Sequence, residues 1–120
     1  MHTLIANHQD RYIEVRVEGL CSIAEFQTFA GELRSEIARF PAGPKPPATL
    51  YDFTGATIQT QDVVSAMKAL AEHPSMVHRR VAMYTDGVLA RRQAKRICES
   101  RSNMVVFGSR AEALDFIAAG

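Results

Sequence analysis

Two short stretches set an acid beside a hydroxyl and a glycine. Asp52-Phe53-Thr54-Gly55 follows the apolar run Ala48-Thr49-Leu50-Tyr51, and Thr85-Asp86-Gly87 follows Val81-Ala82-Met83-Tyr84. Brought to one rim, Asp52, Thr54, Thr85 and Asp86 would make a shallow polar site able to receive a ligand or a partner. The same residues also suit plain structural work, with Asp86 and Ser109 capping helices and Gly55, Gly87 and Gly108 permitting tight turns. An aspartate that accepts a phosphoryl group needs further acids to hold magnesium and a lysine to stabilise the transferred charge. Here the last apolar run, Met104 to Phe107, passes straight into Gly108-Ser109 without that lysine, so phosphoryl transfer is not expected.

Other chemistries find less support. No G-x-x-x-x-G-K-[ST] loop and no G-x-G-x-x-G fingerprint occurs, which leaves only weaker anion binding at helix N-termini. His2, His8, His73 and His78 lack metal-ligand spacing and read as scattered surface histidines. Neither Cys21 nor Cys98 has a metal partner or a base beside it in sequence, and there is no G-x-S-x-G elbow. No catalytic residue, metal or cofactor is therefore expected. The run RRQAKR at 91–96 concentrates positive charge on an outward helical face, with Arg79, Arg80 and Arg101 placed to add to it. It reads as a solvated face, or as a grip for an acidic protein surface, anionic lipid or phosphates. It lacks the exposed aromatics of a single-strand binder and a helix-turn-helix setting, so nucleic acid is not an expected partner.

The chain of 120 residues is the size of one domain, residues 1–120, and 47% apolar with 22% charged residues is ordinary globular composition. A formal charge of +1 gives no global attraction to nucleic acid or anionic lipid, so any electrostatic partner must meet a local patch. Two distant cysteines point to a reducing compartment rather than a disulfide framework. No apolar run approaches the ~20 residues of a membrane span, and the start, MHTLIANHQDR, lacks the pattern of a secretory signal. A cytoplasmic protein is expected.

The elements that must position those strand ends follow from local patterns. In RYIEVRVE, Ile13, Val15 and Val17 alternate with Glu14, Arg16 and Glu18, the period of a half-exposed strand, and TLIAN before it pairs as a hairpin through His8-Gln9-Asp10. Ser22 and Glu25 form a capping box for a helix whose stripe is Phe26, Phe29, Ala30, Leu33, Ile37 and Phe40, stopped by PAGPKPP at 41–47. ATLYDF (48–53), VAMYT (81–85) and MVVF (104–107) are continuous apolar runs, as parallel strands covered on both faces require. Between them lie two helical patterns. Val63, Val64, Met67, Leu70 and Ala71 line the first, and the second turns Ala90, Ala94, Ile97 and Cys98 inward with Arg91, Arg92, Lys95 and Arg96 outward. Ser109 and Glu112 open a terminal helix carrying Ala113, Leu114 and Ile117. The order predicts an α/β fold: a mainly parallel sheet of about five strands, the first antiparallel, flanked by four helices. Ligand and switch sites gather beyond the carboxyl ends of such strands.

This order, with LYDFTG at 50–55, RRVAMYTDG at 79–87 and VVFGSRAEALDFI at 105–117, resembles the SpoIIAA-like group of the STAS superfamily over nearly the whole chain. These are the sulphate-transporter and anti-sigma-factor-antagonist domains. The resemblance implies a non-catalytic regulatory or protein-interaction module. In the antagonists of this group, an aspartate-serine-glycine turn after a central strand leads to a phosphorylatable serine at the start of the next helix. Asp52, Thr54 and Gly55 match the turn, but the serine region reads Thr60-Gln61-Asp62. Asp62 thus stands near the position of the phosphorylated hydroxyl, as a fixed negative charge, and control by a serine kinase is not implied. Thr60 equally suits a helix cap, with Asp62 in the positive first turn.

The expected surface is residues 54–64 with the nearby strand ends. Asp52 fixes the turn, Gly55 permits close approach, Asp62 lies on the recognition helix, and Thr85, Asp86 and Gly87 stand alongside. The alternative is a small apolar, lipid-like or anionic ligand held between helices and sheet, with Met67, Met76 and Met83 as adaptable lining or as ordinary core. A homodimer through an edge strand or the Phe-rich helix is left open.

Overall fold

The structure, a computed structural model, describes residues 1–119. Its elements run β1 His2–Asn7, β2 Tyr12–Val17, α1 Ile23–Arg39, β3 Ala48–Asp52, α2 Gln61–Glu72, β4 Val81–Tyr84, α3 Val88–Cys98, β5 Met104–Phe107 and α4 Arg110–Ala119. The five strands lie in sequence order in one sheet, β1 antiparallel to β2 and every other pair parallel. The α/β architecture expected from the sequence is the one found.

That strand order has a geometric consequence. Each of the three crossovers steps one strand in the same direction, and right-handed crossovers taken repeatedly in one direction put their helices on one face. Accordingly α1, α2 and α3 pack together over Ile13, Val15, Tyr51 and Met83. The opposite face has only α4, whose Ala113, Leu114 and Ile117 cover Leu50, Ala82 and Tyr84. Ile13, Val15, Leu33, Leu50 and Val63 are all at most 1% exposed. Burial of such a side chain stabilises the fold by about 1.5–3 kcal/mol.

Local details depart from the sequence reading in instructive ways. The β1–β2 hairpin uses four loop residues, 8–11. The Asn7 side chain accepts from Asp10 N at 2.8 Å, and Arg11 takes a left-handed φ of 55°. A non-glycine residue in that region costs about 1–2 kcal/mol, and Arg11 is held there by its guanidinium, which donates to Pro41 O and Lys45 O at 2.8 Å each. The capping box of α1 is half formed. Ser22 Oγ accepts from Glu25 N at 3.0 Å, but the Glu25 carboxylate turns to the chain's amino terminus at 2.8 Å and to His2 Nδ1 at 3.1 Å.

Gly87 rather than Asp86 occupies the N-cap of α3, and its φ of −82° is open to any residue. Gly19 has a left-handed φ of 68°, while Gly55, Gly87 and Gly108 do not. Gly55 lies in a tight turn as expected, closed by Ala56 N donating to Phe53 O at 3.1 Å, but none of the three needs a left-handed backbone. A Cβ at Gly55 or Gly108 would meet the Glu18 or the Arg91 side chain at 3.4 Å, an ordinary contact. Arg92, Lys95 and Arg96 face solvent, whereas Arg91 lies half-buried over Gly108. Arg101 does not extend the basic face. It donates to Ala71 O at 3.1 Å, to Arg79 O and to Asn103 Oδ1 at 3.0 Å, tying the end of α2 to the start of β5.

Candidate functional site

At the carboxyl ends of the strands, alternation decides which side chains meet. Asp52 pairs in register with Arg16 and Tyr84, and all three project toward α4. Asp52 is 5% exposed; its Oδ1 accepts from Thr54 Oγ1 at 2.6 Å and from Thr54 N at 2.9 Å, and its Oδ2 accepts from Arg16 Nε at 3.2 Å. Next to it Tyr84 donates its hydroxyl to Glu14 Oε2 at 3.1 Å. Arg110, at the start of α4, closes a two-pronged pair on Glu14 at 2.7 and 3.1 Å.

The electrostatics follow from those contacts. The Arg110 guanidinium holds the Glu14 carboxyl below its ordinary range. Burial pushes the Asp52 carboxyl up, but the Thr54 hydroxyl and amide outweigh it and the net shift is downward. Burial, reinforced by the two carboxylates, raises the Tyr84 phenol. Asp52, Glu14, Tyr84 and Arg110 thus form a satisfied ionic latch between the sheet and α4, with the Asp52–Thr54 pair shaping the turn.

Thr85 does not join this group. As the residue after Tyr84 it turns away from Asp52, is 1% exposed, and donates to Phe53 O at 3.4 Å. Asp86 is exposed, with no hydrogen bond among the described residues. Asp52 and Thr54 are therefore brought together, while Thr85 leaves the opposite face of the sheet because successive side chains alternate. Asp62 lies exposed in the first turn of α2, where Thr60 Oγ1 donates to Oδ1 and Val63 N donates to the same oxygen at 2.9 Å. The Thr60 hydroxyl holds the Asp62 carboxyl below its ordinary range. Thr60 is the N-cap by position but spends its hydroxyl on Asp62 rather than on a backbone N–H.

What binds the rim together is a residue that sequence reasoning missed. Gln59 is 8% exposed and stitches three elements. Its Oε1 accepts from Cys21 N at 2.7 Å, and its Nε2 donates to Gly19 O at 3.0 Å and Thr57 O at 2.7 Å. Its backbone exchanges two bonds with the Gln93 side chain of α3, at 2.8 and 2.9 Å. Gly19 N also donates to Gly55 O at 3.0 Å, which extends the parallel pairing past the ends of β2 and β3.

On this framework Leu20, Ile58, Val88 and Leu89 stand between 47% and 70% exposed. They are four of the six exposed large apolar side chains among the described residues, and they come from the three neighbouring segments that Gln59 joins. Val88 and Leu89 open α3, outside the stripe of Ala94, Ile97 and Cys98 that this helix buries. Thr54 and Gly55 are exposed nearby, and Gly87 is half-buried.

The interior between the three helices and the sheet holds a cavity of about 30 Å³ lined by Cys21, Tyr51, Phe53, Met67, Met76 and Met83. That is room for about two water molecules, against ~300–1,000 Å³ for small-molecule sites. The three methionines pack as core. Burial pushes the Cys98 thiol up to about 12 and also raises Cys21, so neither supplies a thiolate at neutral pH. No group of three or more His, Cys, Asp or Glu among the described residues is arranged to hold a metal ion. No helix among the described residues is long and apolar enough to cross a membrane.

No protein-family model and no curated protein matches the sequence. Solved structures do match its shape. An uncharacterized protein of the DUF3478 family from Shewanella loihica PV-4, described as having a SpoIIAA-like fold, superimposes with a TM-score of 0.69 at 17% identity, over 98% of this chain and 92% of that one. An anti-sigma factor antagonist from Mycobacterium paratuberculosis superimposes with a TM-score of 0.67 at 14% identity, over 98% of this chain and 94% of that one. Sheet order, helix placement and both neighbours agree: this chain has the SpoIIAA-like fold.

Proposed function

We propose that the chain is a non-catalytic regulatory module of the cytoplasm that binds another protein through the rim at the carboxyl ends of β2, β3 and β4. The observation that carries this reading is the group Leu20, Ile58, Val88 and Leu89, exposed yet mounted on the bonded framework of Gln59. Apolar side chains held rigidly in water are what a docking surface needs, because little further ordering is required when a partner covers them. Asp62 and Asp86 stand exposed at the edges of this surface and would select for complementary charge on the partner. The resemblance of Asp52-Phe53-Thr54-Gly55 to the antagonist turn, and a fold neighbour that is an anti-sigma factor antagonist, support the same surface. Asp62, near the position of the phosphorylated hydroxyl in those relatives, would fix the module in one charge state without a kinase.

The test is affinity capture from the native host with the wild-type chain, Val88→Asp/Leu89→Asp and Asp62→Arg as baits, scored by quantitative mass spectrometry. Val88 and Leu89 are exposed, so their change is expected to alter stability by only about 0.5 kcal/mol per site. Asp62→Arg also loses the contacts of the first turn of α2 and is expected to cost about 1 kcal/mol, with folding of each bait checked by circular dichroism. Proteins enriched by the wild type should fall away with the rim variants. Equal recovery of every partner by all three baits overturns the reading.

A further inference from the structure

The opposite end of the sheet carries a surface of another kind. Just before β2, β3 and β4 begin, Arg11, the loop at 41–47 and Arg80 border a groove of about 340 Å³, walled on one side by Ile117 and Ala118 of α4. Its polar lining is Arg11, Lys45, His78 and Arg80, with Asp10 the single acid among the described residues.

Both guanidiniums are fixed by neutral groups. Arg11 donates to Pro41 O and Lys45 O at 2.8 Å each and stands 5.8 Å from the centre of the Phe40 ring. Gly43 leaves room for it, since a Cβ there would come within 3.0 Å of Arg11 Cζ. Arg80 donates to Phe116 O at 2.5 Å and lies over the Phe116 ring at 4.4 Å. Carbonyls and rings orient a guanidinium without cancelling its charge. None of Arg11, Lys45 and Arg80 forms an ion pair among the described residues.

Lys45, between two prolines, is held at the groove by a stiff backbone. The Asp10 carboxylate turns aside to Asn7 Nδ2 at 3.3 Å. Carbonyls at the end of α4 add only partial negative charge. Three permanent cations therefore face the groove against one acid that is already engaged. An arginine bonded through one or two of its five N–H groups keeps donors free for oxyanions.

We infer that this groove binds a phosphate monoester carrying a small organic group. A volume of about 340 Å³ lies at the lower end of small-molecule sites and is larger than a bare ion needs. The preorganised cations bind the phosphoryl oxygens, and Pro44, Pro46 and Ile117 cover the organic part. This site lies at the far end of the strands from the protein-docking rim and stands or falls independently of it.

Calorimetric titration with glycerol 3-phosphate, and flotation with phosphatidylcholine vesicles with and without phosphatidic acid, test the site and separate its two sources. The full chain is compared with Lys45→Glu, with Lys45→Glu/His78→Glu, and with Arg92→Glu/Lys95→Glu as a control on α3. The last two carry comparable added negative charge. Saturable one-to-one binding is expected. It should weaken about tenfold or more in Lys45→Glu, the loss of one charge-assisted hydrogen bond, and stay unchanged in the α3 variant. Binding of the soluble ester alone identifies a free metabolite, and binding of the acidic vesicles alone identifies a lipid headgroup. Binding of neither, or equal weakening by the groove and α3 variants, overturns the site.

Discussion

On one face of the sheet Ile13, Val15, Tyr51 and Met83 meet three helices, while on the other Leu50, Ala82 and Tyr84 meet one. The first contact is almost wholly apolar. The second is narrow, and α4 is held on it by Arg110 with Glu14 and by Arg80 with the Phe116 carbonyl and ring as much as by packing. Their treatment of polar groups differs in the same way. Asp52, Tyr84 and Glu14 on the α4 face are all bonded. On the three-helix face the Thr49 hydroxyl, fully buried, has no partner among the described residues. Where crossovers stack helices, burial of apolar area dominates; where a single helix must cover the sheet, specific ionic contacts fix its position.

The largest break in this comparison should come from Leu33, fully buried in α1. Leu33→Ala removes apolar area and leaves a cavity, so stability should fall by about 2–5 kcal/mol in a urea titration. A loss under 1 kcal/mol would mean that the three-helix face is not the main store of stability. Thr49→Val keeps the shape and removes the unpartnered hydroxyl, and should raise the urea midpoint by the equivalent of about 1 kcal/mol. A loss of stability there would reveal a bond or water that the hydroxyl keeps.

The smallest effect belongs to the ionic latch and is best read from pH. Glu14 is held below its ordinary value of 4.5, chiefly by Arg110. Its folded pKa is depressed, so its contribution is fully present above that value and is lost as pH falls through the folded one. The stability gap between wild type and Glu14→Gln should therefore be greatest near neutrality and close as pH falls below about 4.5. A gap independent of pH would show that the Glu14 charge does not hold α4.

How much of this was legible beforehand divides along physical range. Ser22 before the stripe of Phe26, Phe29 and Leu33, the alternation of Ile13, Val15 and Val17, and the proline stop at 41–47 each act within a turn or a few strand residues. The elements and their order were therefore open to reading. The candidate site was legible only in part. The Asp52–Thr54 pair is local and forms, while the expected meeting of Asp52 with Thr85 fails because the two leave the sheet in different directions. Gln59 gives no local signal at all, being a glutamine in a loop whose five bonds reach residues up to 40 positions away.

The sequence by itself determined the alternation of strands and helices and the punctuation between them, because periodicity, caps and prolines operate on neighbouring residues. Tertiary structure decided which apolar residues stay in water and which charges pair. Leu20, Ile58, Val88 and Leu89 come from three separate segments and are all left exposed, and Glu14 meets Arg110 across 96 positions only once β2 and α4 share a face. Contacts of that kind depend on the hand and order of the crossovers, which no window of adjacent residues contains.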